Sequence, residues 1–502
     1  MIDLLLVPVA ICYLVVIAAL FVYGVNFFYL TYRTLRDRQA KTAPPPLTEW
    51  PRVTVQLPIY NELYVAERLV QAAARLDYPQ DLLEIQVLDD STDETAEIIR
   101  GAVERCQQEG IPIRQLRRAQ RDGFKAGALS SGLTQAYGEF VAIFDADFVP
   151  APDFLKRTLP YFRDSRIAFI QTRWGHVNRD YSLLTYLQSL AIDAHFMVEQ
   201  FARSRGHYWF NFNGTAGIWR KQALEDAGGW KADTLTEDLD LSYRAFLRGW
   251  SALYLRDVEV PAELPVSFSA YRRQQGRWAR GSFECAIKLL PQVWQSKASW
   301  SKKMEATLHL TGYGVHFFLF AMMALYPVVV LLSARFPGLV SLFGLAFVFT
   351  ATTFAPTLLF IVAQQQLGRS WWRELPAILF ISLLGVGMMV NTARAALQAV
   401  SHHNSIFERT PKFGITRKEE VWQTHRYQLR IDSIVFFEIG FALWNAWTVW
   451  IALQNNSYAI AAYSALFCLG LAFTSGLTLV QGIEVYRQQN RIALPVAPNV
   501  QD

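Results

Sequence analysis

The sequence predicts an α/β domain joined to a set of membrane-spanning helices. Three observations carry that expectation: six long apolar runs almost free of charge, a central stretch of ordinary soluble composition, and within that stretch an alternation of short β-branched runs with helix-like segments. The 52% hydrophobic content is concentrated in residues 2–31, 312–333, 341–363, 375–400, 433–453 and 457–482, each close to the roughly 20 residues a helix needs to cross a bilayer. One such run could be a buried core helix, but six exceed what a soluble core in 502 residues calls for.

The first run is expected to stay as an anchor. It lacks a basic start and ends in Tyr32, Arg33, Arg36 and Arg38 rather than in the small residues of a cleavage site. Ala43–Pro46 then makes a stiff linker. If the anchor runs inward, the domain behind it is cytoplasmic, residues 312–333 go out and 341–363 return. The run 375–400 is followed by Arg409, Lys412, Arg417, Lys418, Arg426 and Arg430. A full crossing would carry these cations outside, against the positive-inside tendency, so this run is expected to re-enter or lie in the interface. Five crossings remain, placing a multi-pass chain in the inner (plasma) membrane.

From Val53 onward the expected strands are Val53–Leu57, Ile85–Leu88, Ile111–Leu116, Phe140–Phe144 and Ala168–Thr172, with helices over 64–76, 93–108, 124–136 and 151–163. Ligands of such a βαβ sheet bind beyond the carboxyl ends of its strands. The polar clusters there are Pro58-Ile59-Tyr60-Asn61-Glu62, Asp89-Asp90-Ser91 and Asp145-Ala146-Asp147. Residues 183–203 and 268–291 interleave apolar with basic residues and suit amphipathic helices on the membrane surface. The resulting division is 1–47 anchor and linker, 48–265 α/β domain, 266–305 interfacial region and 306–502 membrane region, with a loop near 401–432.

Composition narrows the chemistry. Cys12, Cys106, Cys285 and Cys468 are far apart with no CxxC spacing, so neither a zinc site nor a disulfide framework is implied. The net charge of +5 sits mostly beside apolar segments and suits anionic lipid or phosphate, with no nucleic-acid partner. Asp145 and Asp147, one residue apart at a strand end, can converge on a divalent cation bridging a diphosphate. Asp89 and Asp90 can accept hydrogen bonds from a base or ribose. Lys125 opens a helix, where an ammonium and free N–H groups both favour phosphate. Thr236-Glu237-Asp238 precedes a helical stretch: Thr236 could cap it, and Asp238 could serve as general base. In Gln274-Gln275-Gly276-Arg277-Trp278, Arg277 can form a forked pair with phosphate and Trp278 offers a flat face to a sugar ring.

Taken together and in order, Tyr60 to Glu62, Asp89-Asp90, Lys125-Ala126-Gly127, Asp145-Ala146-Asp147, Thr236-Glu237-Asp238 and Gln274 to Trp278 resemble the motif series of processive family 2 glycosyltransferases, including cellulose synthase. Phe212-Asn213-Gly214-Thr215-Ala216-Gly217 is similar to plant mannan and glucomannan synthases. Phe407-Glu408-Arg409-Thr410-Pro411-Lys412 is similar to the gating loop of bacterial cellulose synthase. The resemblance implies a Rossmann-like GT-A domain on the cytosolic side. It also implies an inverting, metal-dependent hexose transfer from UDP-glucose or GDP-mannose, with a lean to UDP-glucose, onto a growing β-glycan that is secreted. Mg2+ or Mn2+ would be held by Asp145 and Asp147, and Asp238 would be the base. Tyr60, Glu62, Asp89, Asp90, Lys125, Gly214, Glu237, Gln274, Arg277, Trp278 and Thr410 would bind donor and acceptor. The alternative is a non-processive transfer to a membrane lipid such as ceramide or diacylglycerol. Gln171-Thr172-Arg173-Trp174 departs from the Gln-Thr-Pro usual in cellulose synthases, leaving acceptor contacts there open.

Overall fold

The computed structural model describes residues 2–37, 47, 49–335, 351–401, 409–428 and 431–493. The linker 43–46, residues 341–350 of the third apolar run, and Arg38, Phe407, Glu408 and Arg430 lie outside them. The strands are β1 (Val53–Ile59), β2 (Leu83–Asp89), β3 (Ile113–Leu116), β4 (Phe140–Ile143), β5 (Ile167–His176), β6 (Gly217–Arg220) and β7 (Ser251–Ala262). They form one sheet in the order β3-β2-β1-β4-β6-β5-β7.

The helices in chain order are α1 (Ile2–Arg36), α2 (Ala66–Ala74), α3 (Thr95–Gln108), α4 (Phe124–Gln135), α5 (Phe154–Thr158), α6 (Leu183–Ala194), α7 (Phe201–Arg205), α8 (Lys221–Asp226), α9 (Glu237–Leu247), α10 (Phe268–Gln295), α11 (Trp300–Leu310) and α12 (Gly314–Arg335). They continue with α13 (Ala355–Gln366), α14 (Trp371–Gly387), α15 (Met389–Val400), α16 (Ile434–Gln454) and α17 (Tyr458–Ala493).

Alternation along β1 sets the layers. Val53, Val55, Leu57 and Ile59 enter a core with Leu69 and Val70 of α2 and Ile99 and Val103 of α3. Thr54 and Gln56 face the other way, where Thr54 Oγ1 donates to Glu84 at 2.7 Å and Gln56 Nε2 to Gln86 at 3.1 Å, so these buried polar groups satisfy one another. On that face Leu129 of α4 packs with Val141, Ile143 and Phe169.

The sheet is mixed. β6 runs antiparallel to both β4 and β5, and its four residues are too few to display a period of two. The expected helix over 151–163 divides into α5 and a 3₁₀ turn over Leu159–Arg163, because Pro160 offers no N–H to an α-helical ladder. β5 extends four residues past its expected end, which carries Trp174 and His176 to the sheet edge.

α6 opens with a capping box between Ser182 and Thr185, and α10 with Ser267 accepting from the Ala270 N–H at 3.2 Å. Both lie between the sheet domain and the apolar helices. Leu184, Leu187, Phe268 and Tyr271 form one cluster with Ile378 and Ile381 of α14. Among the described residues, four helices are long and apolar enough to cross a membrane: Pro8–Arg36, Gly314–Arg335, Ile434–Gln454 and Tyr458–Gln488. The pair α14 and α15 bends by 42° at its junction.

Candidate active site

In the parallel register Ile59 stands beside Asp89 and Gln56 beside Ile143, so the residues following β1, β2 and β4 emerge at one edge of the sheet. Because β6 is antiparallel to its two neighbours, β5 runs with β4, and β7 pairs in parallel with β5. Trp174, His176 and Glu263 therefore reach that same edge.

A cavity of about 210 Å³ opens there. Tyr60, Glu62, Asp90, Lys125, Asp145, Asp147 and Gly214 line it, and so do Glu237, Asp238, Gln274, Arg277, Trp278 and Thr410. Asp89 does not. Its carboxylate is buried behind the edge, where it accepts the Ser91 N–H at 2.8 Å and Gln115 Nε2 at 2.7 Å. Its work is to hold the turn after β2, which corrects the expectation that both aspartates face a ligand. Asp90 faces the cavity, gripped by Arg118 Nε at 3.0 Å and Nη2 at 2.5 Å. The Arg121 guanidinium lies 3.4 Å from the centre of the Tyr60 ring, a cation–π contact at the cavity wall.

Each aspartate expected to hold a metal carries a lysine. Lys125 Nζ lies 2.6 Å from Asp145 and also donates to the Gly214 carbonyl at 3.0 Å. Lys412 Nζ lies 2.7 Å from Asp147 and donates to the Glu263 carbonyl. These ammonium groups stand where cations are wanted, and the ligands are hard carboxylate oxygens suited to Mg2+ or Mn2+. Among the described residues no three His, Cys, Asp or Glu side chains gather as a metal-ligand cluster. Asp145 and Asp147 would hold such an ion with their two carboxylates.

Asp238 sits in the first turn of α9. Thr236 holds the N-cap position, yet its side chain makes no capping bond, and its hydroxyl lies 3.4 Å from Cys285 Sγ. Asp238 Oδ1 accepts the Leu239 N–H at 2.9 Å. Burial, and then repulsion from Glu237, push the Asp238 carboxyl up to about 7, against the pull of Lys125. Burial likewise raises Glu237 and Asp145. Burial works against the Lys125 ammonium, yet Asp145 and then Glu237 hold its pKa above the ordinary lysine value. Gly214 has φ of +76°, and a Cβ there would lie 3.0 Å from Asp238 Oδ2 and 3.2 Å from Lys125 Nζ. Only glycine lets the chain pass so close to both groups.

Residues 409–414 cross the cavity as a strap. Arg409 pairs with Glu62 at 3.1 Å, Thr410 accepts from Arg277 at 3.3 Å, and Glu263 accepts the N–H groups of Phe413 and Gly414 at 2.8 and 3.1 Å. Further along, Arg426 pairs with Glu94 at 2.6 Å and Tyr427 donates to Asp93. Sequence reasoning missed Glu263, Arg121 and His176. Glu263 follows the run Ser251–Ala262, and the rule that picked out Asp145, a carboxylate after a strand, would have found it.

Residues 51–281 match the family described as glycosyltransferase like family 2. The chain is 47% identical over 255 residues to glucomannan 4-beta-mannosyltransferase 2 of Arabidopsis thaliana, covering 50% of this chain and 48% of the relative. It is 38% identical over 441 residues to probable glucomannan 4-beta-mannosyltransferase 7 of Oryza sativa subsp. japonica, covering 85% and 72%. The match to the Arabidopsis protein thus spans about half of that protein's length. Among solved structures, a mannosyltransferase from Pyrobaculum calidifontis in complex with GDP-Man and Mn2+ superposes with a TM-score of 0.55 at 23% identity, covering 79% of this chain and 100% of that one.

Proposed function

Because the chain belongs to the family 2 glycosyltransferases, we propose that it moves a mannosyl group from GDP-mannose onto the end of a growing β-glycan, with inversion at the anomeric carbon. The observation that carries the reading is the convergence of Asp145, Asp147, Asp238, Arg277 and Trp278 on one cavity. GDP-mannose is preferred to UDP-glucose because the relatives are mannosyltransferases and the solved neighbour carries GDP-Man.

Asp238 takes the proton of the acceptor hydroxyl as that oxygen attacks C1 of the donor sugar. The C1–oxygen bond to the diphosphate breaks on the opposite face, so a single displacement turns an α-linked donor into a β-linked product. Lys125 and Arg277 hold the diphosphate and take up charge as it leaves. Asp145 and Asp147 would hold a divalent cation, Mg2+ or Mn2+, which would supply Lewis-acid neutralisation of that leaving group.

The domain is proposed to lie on the cytoplasmic side, next to its nucleotide donor. Glu374 of α14 pairs with Arg179 at 3.0 Å, and Asn391 of α15 donates to the Arg272 carbonyl at 3.1 Å. Both arms of the bent pair touch the domain or its α10 extension, which supports re-entry rather than a crossing.

The test is a panel of nucleotide sugars given to the purified protein in detergent, with released nucleotide and product length as readouts. GDP release from GDP-mannose with a product cut by a β-mannan-specific glycosidase is expected. Release of no nucleotide from any donor would overturn the reading, and a product of one sugar on a lipid would replace it with lipid glycosylation.

A further inference from the structure

Residues 212–216 belong to no strand or helix, yet they touch three groups of the proposed chemistry. The Phe212 N–H donates to Ser242 Oγ at 2.9 Å, and that hydroxyl donates to the Asp238 carbonyl at 2.6 Å. The Gly214 carbonyl accepts Lys125 Nζ at 3.0 Å, and Thr215 Oγ1 accepts the Asp145 N–H at 2.8 Å. The path is a strained one. Gly214 has φ of +76°, and Ala216, which carries a Cβ, has φ of +52°. Left-handed backbone at a residue with a Cβ persists only where its surroundings hold it.

What holds it is the side chain of Gln171. β5 and β6 pair as far as Gln171 and Gly217, where β6 begins. On the other side of Gly217 the chain leaves the ladder, and the Gln171 amide takes the place of a strand partner. Its Oε1 accepts the Asn213 N–H at 2.8 Å, and its Nε2 donates to the carbonyls of Thr215 and Ala216, each at 3.1 Å. Nε2 also lies 2.9 Å from the Thr172 carbonyl, so its two N–H bonds are shared among three acceptors. Gln171 is 0% exposed and stands behind the cavity wall rather than in it. No water can replace a bond lost there, so removing the amide strands the Asn213 N–H and weakens the hold on two carbonyls. Resting on the transfer reading above, we propose that Gln171 is a positioning residue for that reaction. By bracing Asn213 to Ala216 from behind, it sets the Gly214 carbonyl against Lys125 and Thr215 Oγ1 against the Asp145 N–H. The lysine assigned to the diphosphate and the aspartate beside it thereby keep their places relative to Asp238.

The experiment uses the full-length chain in detergent. It measures GDP release from GDP-mannose against donor concentration and against pH, together with thermal melting. Gln171→Met keeps the length of the side chain and removes the amide. It is expected to lower kcat about tenfold while the donor KM stays within about twofold. The midpoint of the rise of kcat with pH is expected to move upward by roughly 0.5, because a loosened Lys125 pulls less on the Asp238 carboxyl. Thr215→Val, which keeps the shape and removes the hydroxyl, is expected to show a similar loss of kcat, and Thr215→Ser, which restores a hydroxyl, to recover most of it. A kcat of Gln171→Met within about twofold of wild type would overturn the proposal. So would a loss of kcat with an unmoved pH midpoint and equal activities in the two Thr215 variants. If Gln171→Met melts too early to assay, the Thr215 pair alone decides. Absence of GDP release in wild type would instead remove the mannosyl-transfer reading on which the proposal rests.

Discussion

Lys412 Nζ lies 2.7 Å from Asp147 Oδ2, although 265 residues separate them in sequence. The ammonium stands at one of the two carboxylates proposed to hold a divalent ion, so an ion bound there would compete with the strap for Asp147. Replacing Lys412 by Met leaves that buried carboxylate without its cation and favours another. Mn2+ binding without donor, read as free Mn2+ by electron paramagnetic resonance, is expected to tighten about tenfold in Lys412→Met. An unchanged Mn2+ affinity would show that the strap and the ion do not contend.

Asp238 is the only base in the proposed reaction, so Asp238→Asn is expected to lower kcat by about 10²–10⁴-fold with donor affinity little altered. Burial and Glu237 raise this carboxyl to about 7, and the working form is the deprotonated one. The rate should therefore climb about tenfold per pH unit below 7 and level off above it. A flat profile between pH 5.5 and 8.5, measured by nucleotide release, would exclude Asp238 as the base.

Gly214→Ala combines two penalties. A residue with a Cβ at φ of +76° costs roughly 1–2 kcal/mol, and that Cβ would press on Asp238 and Lys125 at 3.0 and 3.2 Å. A modest fall in melting temperature with a more than tenfold fall in kcat is expected. Full activity in this variant would mean that the two side chains need not hold their observed positions.

Removal of divalent ions should separate activity from folding. Asp145 and Asp147 already carry Lys125 and Lys412, so no bare pair of carboxylates is left when the ion departs. Chelation is expected to abolish transfer, with recovery on adding Mn2+ or Mg2+, while the melting temperature moves by less than about 2 °C. A large fall in melting temperature would point to a structural metal.

The segment 409–428 must share a side of the membrane with the domain, since Arg426 and Tyr427 bind Glu94 and Asp93. A cysteine at Lys418 is expected to react with an impermeant thiol reagent from the same side as one at Lys302, and one at Asn456 from the opposite side. Labelling of 418 and 456 from one side would rule out that α16 and α17, each long and apolar enough to span a membrane, cross it.

Much of the cavity was legible because a strand end is a local feature. Asp90, Asp145 and Asp147 follow short apolar or β-branched runs whose exit points the parallel register brings together. Asp89 and Asp90 could not be told apart that way. Which one faces the cavity depends on Gln115 and Arg118, on other elements. The helix after Thr236 was also readable, whereas the missing cap bond was not, because Thr236 is turned toward Cys285 of α10.

By itself the sequence determined the apolar runs, the strand–helix alternation and the chemical kinds of the side chains at the strand ends. Periodicity and hydropathy are properties of neighbouring residues, so no partner is needed to read them. The tertiary structure alone decided that Lys412 meets Asp147, that Gln171 braces Asn213 to Ala216, and that β6 turns antiparallel within the sheet. These depend on which distant segments pack together, and burial makes such pairings strong only once water has been shut out.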